Sequence, residues 1–72
     1  MKLRPLKQKE IIRRLKKLGY EFDRSAKKHH EIWYNPETRK RLPVPNYREF
    51  GVPLIREICK ELGIKPADFM EL

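Results

Sequence analysis

Cysteine and tryptophan each appear once in this 72-residue chain, glycine only three times, and no apolar run approaches the roughly 20 residues that a membrane-spanning helix needs. The single cysteine, Cys59, excludes an internal disulfide. With no CxxC and no histidine at zinc-ligand spacing from it, a structural metal is not expected either. The basic start, Met1-Lys2-Leu3-Arg4-Pro5-Leu6-Lys7, carries the charge of a signal peptide but is not followed by an apolar region. These absences point to a cytoplasmic protein in a reducing compartment, with no membrane partner and no cofactor. Its length allows one domain, spanning 1–72, near the lower limit for a single apolar core without staples.

Positive charge is plentiful. Eighteen Lys plus Arg stand against 10 Asp plus Glu, a net charge of +8 and a pI near 9.9. On so small a body this spreads a positive potential over much of the surface, and the natural partner of such a field is a polyanion. Nucleic acid is the first candidate for a cytosolic globular domain. An acidic protein or an anionic lipid surface could use the same charge.

From Leu6 onward, Ile11, Ile12, Leu15 and Leu18 recur at the offsets of one helical face. Pro5 suits the entry to this helix and Gly19 its left-handed exit. The opposite face carries Lys7, Lys9, Arg13, Arg14, Lys16 and Lys17, a pattern that commonly marks nothing more than a solvated surface. Tyr20 to Arg24 alternates apolar and polar residues, predicting a strand that sends Tyr20 and Phe22 together towards the helix. His29 to Tyr34 is a second strand. Asn35-Pro36-Glu37-Thr38 is a turn, and Leu42-Pro43-Val44 is a third strand that Pro43 confines to an edge or a bulge. The short turn makes strands two and three an antiparallel hairpin.

Pro45 to Gly51 reads as a loop. Pro53 then opens a helix on Leu54, Ile55, Ile58, Cys59 and Leu62, which Gly63 closes. Cys59 falls on its core face, where it acts as a small hydrophobe. A last Pro-initiated turn brings Phe69 and Met70 back to the core. The class is α+β: a helix, a three-stranded antiparallel sheet and a helix, with both helices on one sheet face and the other face bare.

Acid/base capacity is concentrated in Ser25 to Asn35, which holds both histidines, the tryptophan and a pair of lysines. Alternation separates His29, Glu31 and Trp33 from His30, Ile32 and Tyr34, and does not by itself decide which set is buried. A histidine titrates near neutral pH and can pass a proton to or from a ribose 2′-hydroxyl or a leaving 5′-oxygen. RNA supplies its own nucleophile, so such a site needs a positioned base and cations such as Lys27, Lys28 or Arg39 to hold phosphate. Composition alone favours His29 and His30 as ordinary surface or strand-edge residues.

The pattern Leu-Lys-Lys-Leu-Gly-Tyr, then His-Glu-Ile-Trp-Tyr-Asn-Pro-Glu-Thr, then Val-Pro-Asn-Tyr, then Ile-Arg-Glu-Ile-Cys-Lys-Glu-Leu-Gly-Ile and a final Asp-Phe resembles the HicA toxins of type II toxin-antitoxin systems, the YcfA-like family. The resemblance runs from about Leu6 to Leu72. It implies a fold like a double-stranded-RNA-binding domain, an mRNA interferase activity that needs no metal, and neutralisation by a HicB-like antitoxin. The family's essential histidine lies in a Gly-Ser-His motif at the start of the second strand. The continuation Glu31-Ile32-Trp33-Tyr34 places it on His30, with His29 at the serine position and Lys28 at the glycine position. Tyr47 stands where many members have histidine, and Val52-Pro53-Leu54 lies near the family's Gly-Thr-Leu.

The expectation is therefore an endoribonuclease acting on mRNA, with His30 as general acid/base. Lys27, Lys28 and His29 would contact phosphate, and the basic turn Arg39, Lys40 and Arg41 would form an outer RNA contact. The rival is a catalytically inactive RNA-binding module of the same fold.

Overall fold

The structure, a computed structural model, describes residues 3–72. Helix α1 (Gln8–Lys17) begins where the Glu10 carboxylate accepts the Lys7 backbone N–H at 3.0 Å, satisfying one of the donors that a helix start leaves open. Gly19, at φ +93°, carries the chain off its end. A side chain there would be strained, and a Cβ would lie 3.4 Å from the Asn35 amide. Ile11 and Leu15 on the inner face are fully buried.

The sheet has the order β2-β3-β4, all antiparallel, from β2 (Glu21–Ser25), β3 (His30–Asn35) and β4 (Lys40–Pro45). In this register His30 faces Pro45 and Asn35 faces Lys40. Pro43 lies on the edge strand β4, where its missing N–H breaks no ladder. Helix α2 (Val52–Leu62) starts with Pro53 in its first turn and ends at Gly63, φ +72°. A short α3 (Pro66–Met70) closes the described chain.

Trp33, Leu42 and Val44 line the inner face of the sheet and meet Ile11, Leu15, Ile55, Ile58, Cys59, Phe69 and Met70 in one core. The fold is thus α+β, with a three-stranded antiparallel sheet packed against helices, consistent with a double-stranded-RNA-binding-domain-like architecture. No helix among the described residues is long and apolar enough to cross a membrane.

Three expectations need correction. Leu6 is not helical, and the stretch before Gly51 is not wholly loop: β1 (Leu6–Lys7) pairs antiparallel with β5 (Glu49–Phe50). This two-rung ribbon drives Leu6 and Phe50, both at 0% exposure, into the core, a gain of about 1.5–3 kcal/mol for each side chain. Phe22 shares the inner side of the sheet with its partner Trp33 but does not reach the core as Tyr20 does. Tyr20 is buried while Phe22 is 51% exposed, on the outer strand, its ring meeting the edge of Trp33 at 5.9 Å.

Arg14 does not belong to the solvated face of α1. It is buried, and its guanidinium donates to the carbonyls of Glu10, Phe69 and Met70 at 3.0–3.1 Å. Arg13 and Lys17 donate to the main-chain oxygen of Leu72. Half of the basic face therefore holds the end of the chain in place.

Candidate functional site

The β2–β3 connection, residues 26–29, is closed by the Ala26 N–H donating to the His30 carbonyl at 2.8 Å. The turn requires a left-handed residue, and Lys28 supplies it at φ +59°. This is the conformation that glycine adopts without cost and a lysine only under strain. Both Lys27 and Lys28 are exposed on this loop, with His29 between them and the strand. The His29 carbonyl accepts the N–H of Asn46, so the loop is pinned to the chain that leaves β4.

His30 is the first residue of β3 and is exposed. It faces away from Trp33, on the side of the sheet shared with Ile32, Tyr34, Arg41 and Pro43. An open cleft of about 270 Å³ adjoins it, lined by Pro43, Pro45, Leu54 and Ile58 with the carboxylates of Glu57 and Glu61 on α2. Glu31 takes no part in that cleft. It is on the inner side of the strand, where its carboxylate accepts the Trp33 indole N–H at 3.2 Å.

The structure brings Lys27, Lys28, His29 and His30 together at one end of the sheet. It does not bring Arg39, Lys40 and Arg41 to the same place. They follow the β3–β4 turn at the opposite end, about 17 Å along the six-residue β3. Arg39 has φ +61° in that turn. Arg41 is engaged, with Nε 3.6 Å from Asp23 Oδ2 and the guanidinium 4.8 Å from the centre of the Tyr34 ring.

Sequence reasoning missed a second concave surface. Lys7, Gln8, Lys9, Arg48 and Glu49 line a pocket of about 580 Å³. Gln8 and Asn46 hydrogen-bond through their side chains, and the Gln8 N–H donates to the Arg48 carbonyl at 3.0 Å. The aromatic-basic pair Tyr47-Arg48 in the segment following Pro45 was the available signal. Among the described residues no three His, Cys, Asp or Glu side chains converge as metal ligands.

Fold and site together define a small cationic α+β domain that presents an unburied histidine at a strand start beside a lysine loop. Comparison with protein families narrows this: the model described as "HicA toxin of bacterial toxin-antitoxin" matches residues 9–64. The chain belongs to the HicA toxin family. No curated protein matches it closely.

Proposed function

We propose that this chain is a HicA-type toxin that acts in the cytoplasm as an mRNA interferase, cutting RNA without a metal and held inactive by a HicB-like antitoxin. The observation that carries the reading is the position of His30: an exposed imidazole at the start of β3, next to the loop that holds two exposed lysines. A buried ring would have excluded it.

In this reading His30 accepts the proton of a ribose 2′-hydroxyl as that oxygen attacks the adjoining phosphorus. The bond from phosphorus to the 5′-oxygen breaks, and the departing oxygen takes up a proton from solvent, to which the protonated His30 gives up its own, leaving a 2′,3′-cyclic phosphate and a 5′-hydroxyl. Lys27, Lys28 and His29 hold the diester and offset the charge that builds on its oxygens. Arg39 and Lys40 serve as an outer contact further along the strand, with Arg41 contributing what its pairing to Asp23 leaves free.

The test is cleavage of RNA by purified protein in EDTA. Cleavage that His30→Ala abolishes without altering the circular dichroism spectrum is the expected result. Parent-rate cleavage by that variant removes His30 from the mechanism, and salt-sensitive binding without cleavage by the parent leaves an inactive RNA-binding module.

A further inference from the structure

We infer that the pocket lined by Lys7, Lys9 and Arg48 is a second RNA subsite that receives the phosphates of the strand leaving His30, with Tyr47, the residue before Arg48, supplying a ring for a base. The inference rests on the RNA reading above for its ligand. It comes from what surrounds His30 on its two sides. Towards α2 the imidazole meets an apolar cleft rimmed by Glu57 and Glu61, a surface that repels phosphate. On the other side, the loop that follows β4 carries Arg48 into the pocket that Lys7 and Lys9 also line.

His30 faces Pro45 across the ladder, and three residues further on is Arg48, at most about 10 Å of extended chain away. The two regions are also physically tied. The His29 carbonyl accepts the Asn46 N–H, the Asn46 side chain meets Gln8, and the Arg48 carbonyl accepts the Gln8 N–H. The pocket is therefore held at a fixed place relative to the start of β3.

Side chains make this site. The N–H groups of Lys7 and Gln8 are already bonded, to Glu10 and Arg48 respectively. Among the described residues Lys7, Lys9 and Arg48 enter no ion pair, although Glu49 also lines the pocket. Tyr47 is 48% exposed with its ring braced 6.2 Å from that of the buried Phe50. A braced, half-exposed aromatic ring one residue before Arg48 in sequence is suited to stack a base while the pocket cations hold the backbone. An acidic protein segment would use the cations but has no base to lay on the ring.

The experiment measures binding of a fluorescent single-stranded RNA with 2′-O-methyl ribose throughout, which cannot be cut by its own 2′-oxygen. The readout thus survives even if the chain proves not to be a nuclease. Lys9→Ala with Arg48→Ala should weaken binding about tenfold and flatten the salt dependence by about 0.7 in log–log slope for each phosphate no longer neutralised. Tyr47→Ser should cost at least about fivefold and Tyr47→Phe almost nothing. The control pair Arg56→Ala with Lys65→Ala removes the same charge elsewhere. Equal losses from the two pairs would overturn the subsite, as would loss of antitoxin binding with RNA binding intact. Active cleavage combined with pocket variants that bind like the control sinks this inference alone; localised binding loss without cleavage sinks only the nuclease.

Discussion

Arg14 Nε donates to the Phe69 carbonyl at 3.0 Å, joining α1 to α3 across 55 residues of chain. The same guanidinium reaches Met70 and Glu10, and its carbon is 5.9 Å from the centre of the Phe69 ring. Burial lowers its pKa, yet the group remains a cation. Truncation would take a donor from each of three carbonyls, of which that of Phe69 keeps the Leu72 N–H.

Arg14→Ala should accordingly destabilise the fold by about 2–3 kcal/mol, a large share of what a domain of this size possesses. A drop in thermal midpoint of roughly 10 °C or more, read by circular dichroism, is the expected size. Arg14→Lys should recover only part of it, because an ammonium cannot serve three carbonyls from the planar fork that guanidinium provides. A midpoint unchanged by Arg14→Ala would mean that α3 docks through Phe69 and Met70 alone.

Lys28 stores strain at the edge of the site. Its φ of +59° costs a lysine about 1 kcal/mol relative to glycine, partly offset by the greater freedom of glycine in the unfolded chain. Lys28→Gly should raise stability by up to about 1 kcal/mol in denaturant melts while weakening RNA binding. A variant that gains stability and RNA affinity together would show that Lys28 has no part in holding phosphate.

Much of this fold is written locally. Gly19, Pro53 and Gly63 mark helix ends by backbone conformation, and the alternation around Trp33 and the Pro43 edge signal marks the strands. Arg14 was unreadable because a charge at a helix position normally signals solvent, and nothing near it in sequence announces the carbonyls of Phe69 and Met70. The β1–β5 ribbon escaped because two residues per strand carry no period. At the site, the resemblance pointed to His30 and the need for cations beside a base pointed to Lys27 and Lys28, which the structure exposes on the adjoining loop. The grouping of Lys7 and Lys9 with Arg48 depends on chain crossing, to which composition and spacing are blind.

Glu10 links stability to acid. Its hydrogen bond from the Lys7 N–H, with help from Arg4 and the neighbouring arginines, holds its carboxyl below the usual value of 4.5. A depressed folded-state pKa contributes stability that is present above the ordinary carboxylate range and lost as pH falls through the folded value. Glu10→Gln should therefore lower the thermal midpoint at neutral pH, and the gap to the parent should close as pH falls through the depressed folded-state pKa. If the difference between the two proteins persists unchanged as the parent carboxylate is titrated, the negative charge is not what Glu10 contributes, since glutamine can still accept the Lys7 N–H.

Cys59 is 1% exposed on α2, and burial raises its thiol pKa. The thiol form is unreactive, so the native protein should be modified by a thiol reagent only as fast as it unfolds, with full reaction in denaturant. Rapid labelling of native protein would place Cys59 on a surface that the packing of Ile55, Ile58 and Phe69 does not allow.

The two adjacent histidines differ in what their replacement removes. His29 engages the fold through its carbonyl, which accepts the Asn46 N–H, so His29→Ala keeps that hydrogen bond. His30 begins the strand and directs its ring to the cleft, on the side of the sheet opposite Glu31 and Trp33. Loss of a general acid/base costs about 10²–10⁴ in rate, and His30→Ala should fall in that range with an unchanged circular dichroism spectrum. His29→Ala should cost less than about tenfold, the effect of giving up one phosphate interaction. Single-turnover cleavage of one defined RNA by both variants decides between them. An equal or larger loss at His29 would move the proton transfer by one residue, to a side chain on the loop itself, where strand pairing no longer fixes its direction.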